Sequence, residues 1–207
     1  MILCPAQPFD LPAVMTIEHS AFIPPIQEKR RVFDDRLQLF PQGFFVLADT
    51  SEETVQKHGN ALTAGYFTSE LWQSFDAHDA LTLQRQFALN HKIYKTHHAD
   101  GGMLYISSFA LLPQYRGHGL GASFFRAAVA SLCCSLQQIH TVALLVSSEW
   151  LAARAIYEHA GFAPCCTLAD FFPSLHAKHA DGIVMTAPAD RFRTAKLVTN
   201  ANGAVIV

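Results

Sequence analysis

Apolar positions along this chain fall into short strand-like runs and longer helical spacings, punctuated by proline, glycine and polar clusters. Ala13 to Ala21 predicts a short helix, Pro24-Pro25 breaks the chain, and Gln27 to Leu39 predicts a charged helix. Gly43 to Ala48 and Ala61 to Phe67 predict antiparallel strands joined by a polar turn over Asp49 to Asn60. Thr68 to Gly102 is too long for a hairpin connection and carries helical spacings at Leu71 to His78 and Ala80 to Leu89, so it predicts an inserted segment on the substrate side or a packed helix pair. A strand starts at Met103. A helix over Ala122 to Gln137, a strand over Thr141 to Ser147, a helix from Glu149 stopped by Gly161, and a closing strand over Asp181 to Met185 complete the pattern.

The stretch from Leu104 to Gly121 changes the picture most, because an apolar strand leads into Arg116-Gly117-His118-Gly119-Leu120-Gly121 and then a helix. Glycines there let the backbone bend sharply and bring successive N–H groups to an anion, and the free N–H groups of the helix start point the same way. Two chemistries use such a cradle. Gly117-x-Gly119-x-x-Ala122 fits a loose dinucleotide fingerprint, which predicts a nicotinamide-dependent oxidoreductase. However, Pro113 to Arg116 separate the strand from the first glycine, and Glu149 follows later than the fingerprint's acidic residue should. The spacing of Arg116, Gly119 and Gly121 instead resembles the acetyl-CoA pyrophosphate loop of the GNAT N-acetyltransferases.

A second segment carries the same resemblance. Ala153, Ile156, Tyr157, Gly161 and Phe162 match in register the family's last motif, with Trp150 standing where the family usually has Asn. The resemblance spans roughly residues 104 to 162. It implies a single α/β domain over residues 1–207, with a mixed, mostly antiparallel, splayed sheet flanked by helices. Acetyl-CoA is then the co-substrate, held by Phe109, Ala110 and Leu111 on the strand and by Arg116, Gly117, His118, Gly119, Leu120, Gly121 and Ala122 in the cradle. His118 acts there through its backbone, with its side chain toward solvent. The implied activity is direct transfer of an acetyl group to a primary amine of a small molecule or peptide; a sensor that binds acyl-CoA without turnover is the alternative. Arg31 to Phe45 resembles the arylalkylamine branch somewhat, but that branch's two histidines fall at Tyr105 and Ser107 here. Dimers are common among similar proteins, so the resemblance leaves a homodimer open, although no stretch marks an interface.

Composition narrows the remaining choices. A net charge of −2 with no basic run argues against nucleic acid as the main partner. Half of the 207 residues are hydrophobic, enough for a sizeable core. No apolar run approaches the roughly 18 residues of a bilayer span, and the N-terminus lacks a signal-peptide pattern, which predicts a cytoplasmic protein without membrane attachment. Five cysteines, two pairs of them adjacent at Cys133-Cys134 and Cys165-Cys166, have neither metal-ligand nor disulfide spacing, so reduced, largely buried thiols are expected. His91, His97 and His98 have no accompanying ligand pattern for a metal.

The reaction itself sets the demands on the site. An amine near pKa 10.4 must lose a proton before attack, which costs roughly 4 to 5 kcal/mol at pH 7. Unpaired N–H groups near Phe109 suit the oxygen of the thioester, and the resemblance makes Tyr157, which matches the family's tyrosine and is protonated at neutral pH, the candidate acid for the departing thiolate. Cys133 and Cys134 lie inside a helix and are poorly placed as nucleophiles. Ser107, Ser108, Glu149, Glu18, Asp34 and Asp35 are the base candidates, with none preferred by spacing; a water wire between several weak acceptors, or one of His91, His97 and His98 across the substrate cleft, is the alternative. The aromatic run from Phe40 to Phe45 and the Asp34-Asp35 pair suit a small aromatic or cationic acceptor, and equally suit a core strand and a solvated helix face.

Overall fold

A computed structural model describes the whole chain except residues 175, 177, 196 and 201–204. The strands among the described residues are β1 (Ile2–Pro5), β2 (Phe44–Asp49), β3 (Leu62–Trp72), β4 (Met103–Leu111), β5 (Thr141–Ser147), β6 (Ala163–Pro173), β7 (His179–Pro188), β8 (Val198–Thr199) and β9 (Val205–Ile206). They form one sheet in the order β6-β7-β5-β4-β3-β2-β1-β9-β8. The β4–β5 pairing is parallel and the others are antiparallel, as expected from the resemblance.

Helices cover both faces. α1 (Leu11–Ala21) buries Leu11, Val14, Ile17 and Glu18, a helical spacing, and α2 (Arg30–Leu39) buries Phe33 and Arg36. Leu11, Val14, Ile17 and Phe33 pack on Phe44, Val46 and Tyr66 of the sheet. The alternate residues Leu47 and Phe67 turn to the opposite face, under α6 (Leu120–Ser135), whose Phe125 lies 6.2 Å from the Phe67 ring. α7 (Leu151–Ala160) packs beside α6, and Gly161 ends it in the left-handed conformation (φ 95°).

Three expectations fail. The polar turn between β2 and β3 contains α3 (Glu52–His58), capped by Ser51, which accepts from the Thr54 N–H at 3.3 Å, and stopped by left-handed Gly59. It buries none of its residues, so apolar periodicity carried no sign of it. β3 runs five residues past Phe67, and Leu71 and Trp72 are strand residues paired with Leu104 and Met103 rather than the start of a helix. Both are buried, and their spacing to Phe75 imitates a helical face. The segment between β3 and β4 therefore starts at Gln73 and holds α4 (Ala80–Gln86) and α5 (Ile93–Thr96). Its Phe87 packs edge-on against Trp72 at 5.0 Å and Tyr105 at 5.1 Å, between ring centroids. Of the five cysteines, Cys133 alone is fully buried; neighbours in a helix or strand point apart, leaving Cys134 and Cys165 exposed. Burial pushes the Cys133 thiol up to about 12.

Candidate active site

The sheet opens where β4 and β5 part. They pair over Met103–Ile106 and Thr141–Leu144; beyond that β4 follows β3 and β5 follows β7. The Leu112 N–H donates to Ala64 O at 2.9 Å, so alternation turns the backbone groups of Phe109 and Leu111 toward the split. Arg116 caps the Leu111 carbonyl through Nε at 2.9 Å and Nη2 at 2.6 Å, whereas the Phe109 N–H faces an opening with no strand opposite.

The glycine turn stands at the mouth of this split. Gly117 and Gly119 have φ of 85° and 76°, a region that disfavours any side chain, and a Cβ at either would meet nothing within 4 Å. Gly119 precedes α6 without a side-chain cap. Among the described residues, the N–H groups of Gly117, His118, Gly119, Leu120 and Gly121 find no acceptor, so five donors are left unpaired at a helix start, and Gly117, Gly119 and Gly121 line an open concavity there. That donor set fits a pyrophosphate. The turn is braced from behind by Tyr115, whose hydroxyl donates to Asp49 at 2.7 Å. Burial opposes the charge on Asp49, but hydrogen bonds from Thr54, Ser51 and Tyr115 outweigh it and hold the carboxyl well below the usual range.

A cavity of about 530 Å³ runs from the turn, past the split, to the end of α1. Gly117, Gly119, Gly121 and Ala122 line one end; Ser107, Ser108 and Phe109 line the middle; Glu18, Glu28, Phe22 and Ile26 line the other. Tyr157 also lines it, and its hydroxyl has no protein partner among the described residues. Burial alone raises this phenol far above its ordinary value, so it is protonated at neutral pH.

A family model for the acetyltransferase (GNAT) family matches residues 13–162. The chain belongs to that family. Membership makes acetyl-CoA, rather than a nicotinamide dinucleotide, the co-substrate. The acetyltransferase resembles the ribosomal-protein-S18-alanine N-acetyltransferase from Escherichia coli, with a TM-score of 0.62 and 19% identity over 90% of this chain and 92% of that one. It also resembles the GphF GNAT-like decarboxylase in complex with isobutyryl-CoA (TM-score 0.69, 15% identity, 91% and 100% covered). The NatC complex bound to Gag peptide and CoA gives 0.64, 15%, 90% and 97%. No curated protein matches by sequence. At such identities the likeness establishes the fold, and a decarboxylase among these structures means that the reaction has to be argued from the site.

Of the base candidates, this acetyltransferase brings Ser107, Ser108 and Glu18 to the cavity. Asp34 and Asp35 lie on the outer face of α2, 3.7 and 3.8 Å from Arg30 and Arg31, while Phe40 and Phe44 are core residues; neither group forms an acceptor site. Glu149 accepts from the Ser174 hydroxyl at 2.6 Å. His91 and His97 are packing residues: His91 Nε2 lies 2.7 Å from Glu70 Oε1, and His97 Nδ1 accepts from the Leu71 N–H at 3.2 Å. No group of three or more potential metal ligands exists among the described residues. No helix there is long and apolar enough to cross a membrane. Tyr105, at one of the positions where the arylalkylamine branch has histidine, stacks on Trp72 at 3.9 Å between centroids and lines the cavity. Sequence reasoning missed Tyr66, Glu28, Arg36 and Glu70, which sit behind the acceptor end; an isolated charge inside an apolar strand, as at Glu70, was the signal available.

Proposed function

We propose that this acetyltransferase moves the acetyl group of acetyl-CoA to the primary amine of a small, partly apolar molecule by direct attack. One observation carries the reading: a single cavity joins the five-donor turn, the open edge of β4 and a carboxylate-lined chamber. The turn's N–H groups fit the pyrophosphate, and the Phe109 N–H faces the place where charge develops on the thioester oxygen. Tyr157 carries the proton that the leaving thiolate needs. Cys133 is buried and held as a thiol, so no covalent acyl-enzyme is drawn.

The far end favours a small acceptor over a polypeptide. Trp150, in the family's Asn position, lies 5.5 Å from Phe22 after α1 and 5.1 Å from Phe172 of β6, between ring centroids. Ile26, Phe172 and Ala180 join them in one apolar cluster that also takes in Leu89 of the inserted segment. The chamber is thus walled by four separate parts of the chain. Thermal unfolding tests the cofactor end: acetyl-CoA and CoA at about 100 times Kd should each add roughly 2.7 kcal/mol, and NADH nothing. A thiol-release assay with alkylamines, aralkylamines and a short peptide tests the other. Turnover on the peptide alone would overturn the small-acceptor reading, and CoA binding without turnover on any amine would leave a sensor.

A further inference from the structure

Glu18 lies on α1, remote in sequence from the thioester site, yet a continuous set of hydrogen bonds joins them. Ser108 Oγ, on the β4 segment beside the split, is 2.8 Å from the Tyr66 hydroxyl. Tyr66 Oη in turn donates to Glu18 Oε2, and Glu18 Oε1 accepts from the Glu28 N–H at 2.7 Å. Both Glu18 and Ser108 line the cavity, although the Glu18 residue is 1% exposed. A β-bulge makes this alignment: Thr68 pairs with Ser108 and Ser69 with Ile106, so Ser107 is the extra residue.

We propose that Glu18 is the base that takes the acceptor's proton, received through the Ser108 and Tyr66 hydroxyls. The proposal rests on the acetyltransferase reading above. The ammonium gives a proton to Ser108 Oγ, Ser108 gives its own to Tyr66 Oη, and Tyr66 gives its own to the Glu18 carboxylate. Three O–H bonds form, one N–H and two O–H bonds break, and a neutral amine and a neutral carboxylic acid result. The groups acting on Glu18 agree with this role. Burial raises its carboxyl, the hydrogen bonds from Tyr66 and the Glu28 N–H lower it, the Glu28 charge raises it and Arg36 of α2 lowers it, leaving it at about 7. A base poised near the working pH is the efficient one. Tyr66 itself, buried beside Glu18, keeps its proton far above the ordinary phenol range, so it passes a proton on rather than holding a charge.

Glu18→Gln keeps the size and one acceptor oxygen, which separates proton transfer from mere support of α1. Two readouts are decisive. In infrared difference spectra of wild type against Glu18→Gln, a protonated carboxyl band should be present at pH 6 and gone by pH 8, with no acceptor needed; its absence at pH 6 overturns the proposal. With an active acceptor, kcat for an alkylamine should fall about 100-fold or more in Glu18→Gln while KM for acetyl-CoA holds. The wild-type limb near pH 7 should disappear, and the deficit should shrink at least tenfold on an arylamine that is already neutral at pH 7. An equal deficit on both amines, or an unchanged pH limb, overturns the role. Tyr66→Phe should lose kcat to a similar degree; full activity in that variant overturns the relay. If wild type turns over no amine at all, it is the acetyltransferase reading that fails, and the infrared titration still decides Glu18.

Discussion

Glu70 in the interior of β3 is fully buried and accepts three hydrogen bonds, from His91 Nε2 at 2.7 Å, the Thr96 hydroxyl at 2.7 Å and Trp72 Nε1 at 3.1 Å, while Arg36 Nε stands 3.5 Å away as an ion pair. His91 and Thr96 belong to the segment between β3 and β4, so this one carboxylate fastens that segment to the sheet. Burial opposes its charge, but the hydrogen bond and charge of His91, then Arg36 and Thr96, prevail and hold the carboxyl at about 2 instead of 4.5. At 1.36 kcal/mol per tenfold, that difference is worth about 3 kcal/mol at pH 7. Breaking a buried pair by removing one partner gives a comparable 3 to 5 kcal/mol. Glu70→Gln should therefore lose about 3 to 5 kcal/mol in urea unfolding at pH 7. A carboxyl held low in the fold stabilises above its unfolded pKa and loses that contribution as pH falls through the folded one. At pH 3 the ionisation share should be down to about 1.4 kcal/mol. A loss below 1 kcal/mol at pH 7, or the same loss at both pH values, would refute the assignment of charge to this network. Because Phe87 and Leu89 of the same segment line the cavity, KM for the acceptor should rise in the variant as well.

Tyr157→Phe should leave CoA affinity unchanged and lower kcat about 100-fold, as stopped-flow thiol release would report, since the hydroxyl makes no hydrogen bond among the described residues. Arg116→Ala should weaken CoA binding by about 1 to 3 kcal/mol in calorimetry, both through a lost charged donor and through the uncapped Leu111 carbonyl. Glu18→Gln should be more stable than wild type at pH 8, by up to about 3 kcal/mol, and show no such gain at pH 4, as paired urea titrations would reveal. The sign follows from the raised carboxyl: between about 4.5 and 7 the unfolded chain releases the proton that the fold retains, so wild-type stability falls as pH rises.

The parts of the fold legible in the sequence are those whose backbone geometry is written in local residue types. Thr141–Ser147 stands where its apolar run put it, the strand from Met103 begins there, and Gly161 stops α7. The elements that escaped are those without a buried face or with too few residues to show a period. α3 is held by its caps alone, β1 has four residues, and β6 is an edge strand, mostly exposed and twice irregular against β7. An edge strand with one wet face and broken register shows neither clean alternation nor an apolar run.

The shape of the glycine turn was legible for the same reason: Gly117 and Gly119, whose left-handed backbone forms it, are visible in the chain. The acceptor end was not, because its chemistry lies in which charges share a low-dielectric volume. Glu18 and Glu70 are both buried, and Arg36 acts on both, yet they are driven in opposite directions. Glu70 has a histidine, a threonine hydroxyl, an indole N–H and a guanidinium turned on it, enough to outweigh its desolvation. Glu18 has a phenol and one backbone N–H, and Arg36 is engaged by Glu28 through both Nη atoms, so desolvation prevails. Environments that drive two carboxyls apart distinguish an anchor from a proton carrier. No spacing rule relates positions 18, 28, 36 and 70; the bulge at Ser107 and the packing of α1 and α2 against β3 bring them together. The protein thus places a rigid charge where the segment between β3 and β4 must be held and a titrating one where a proton must move.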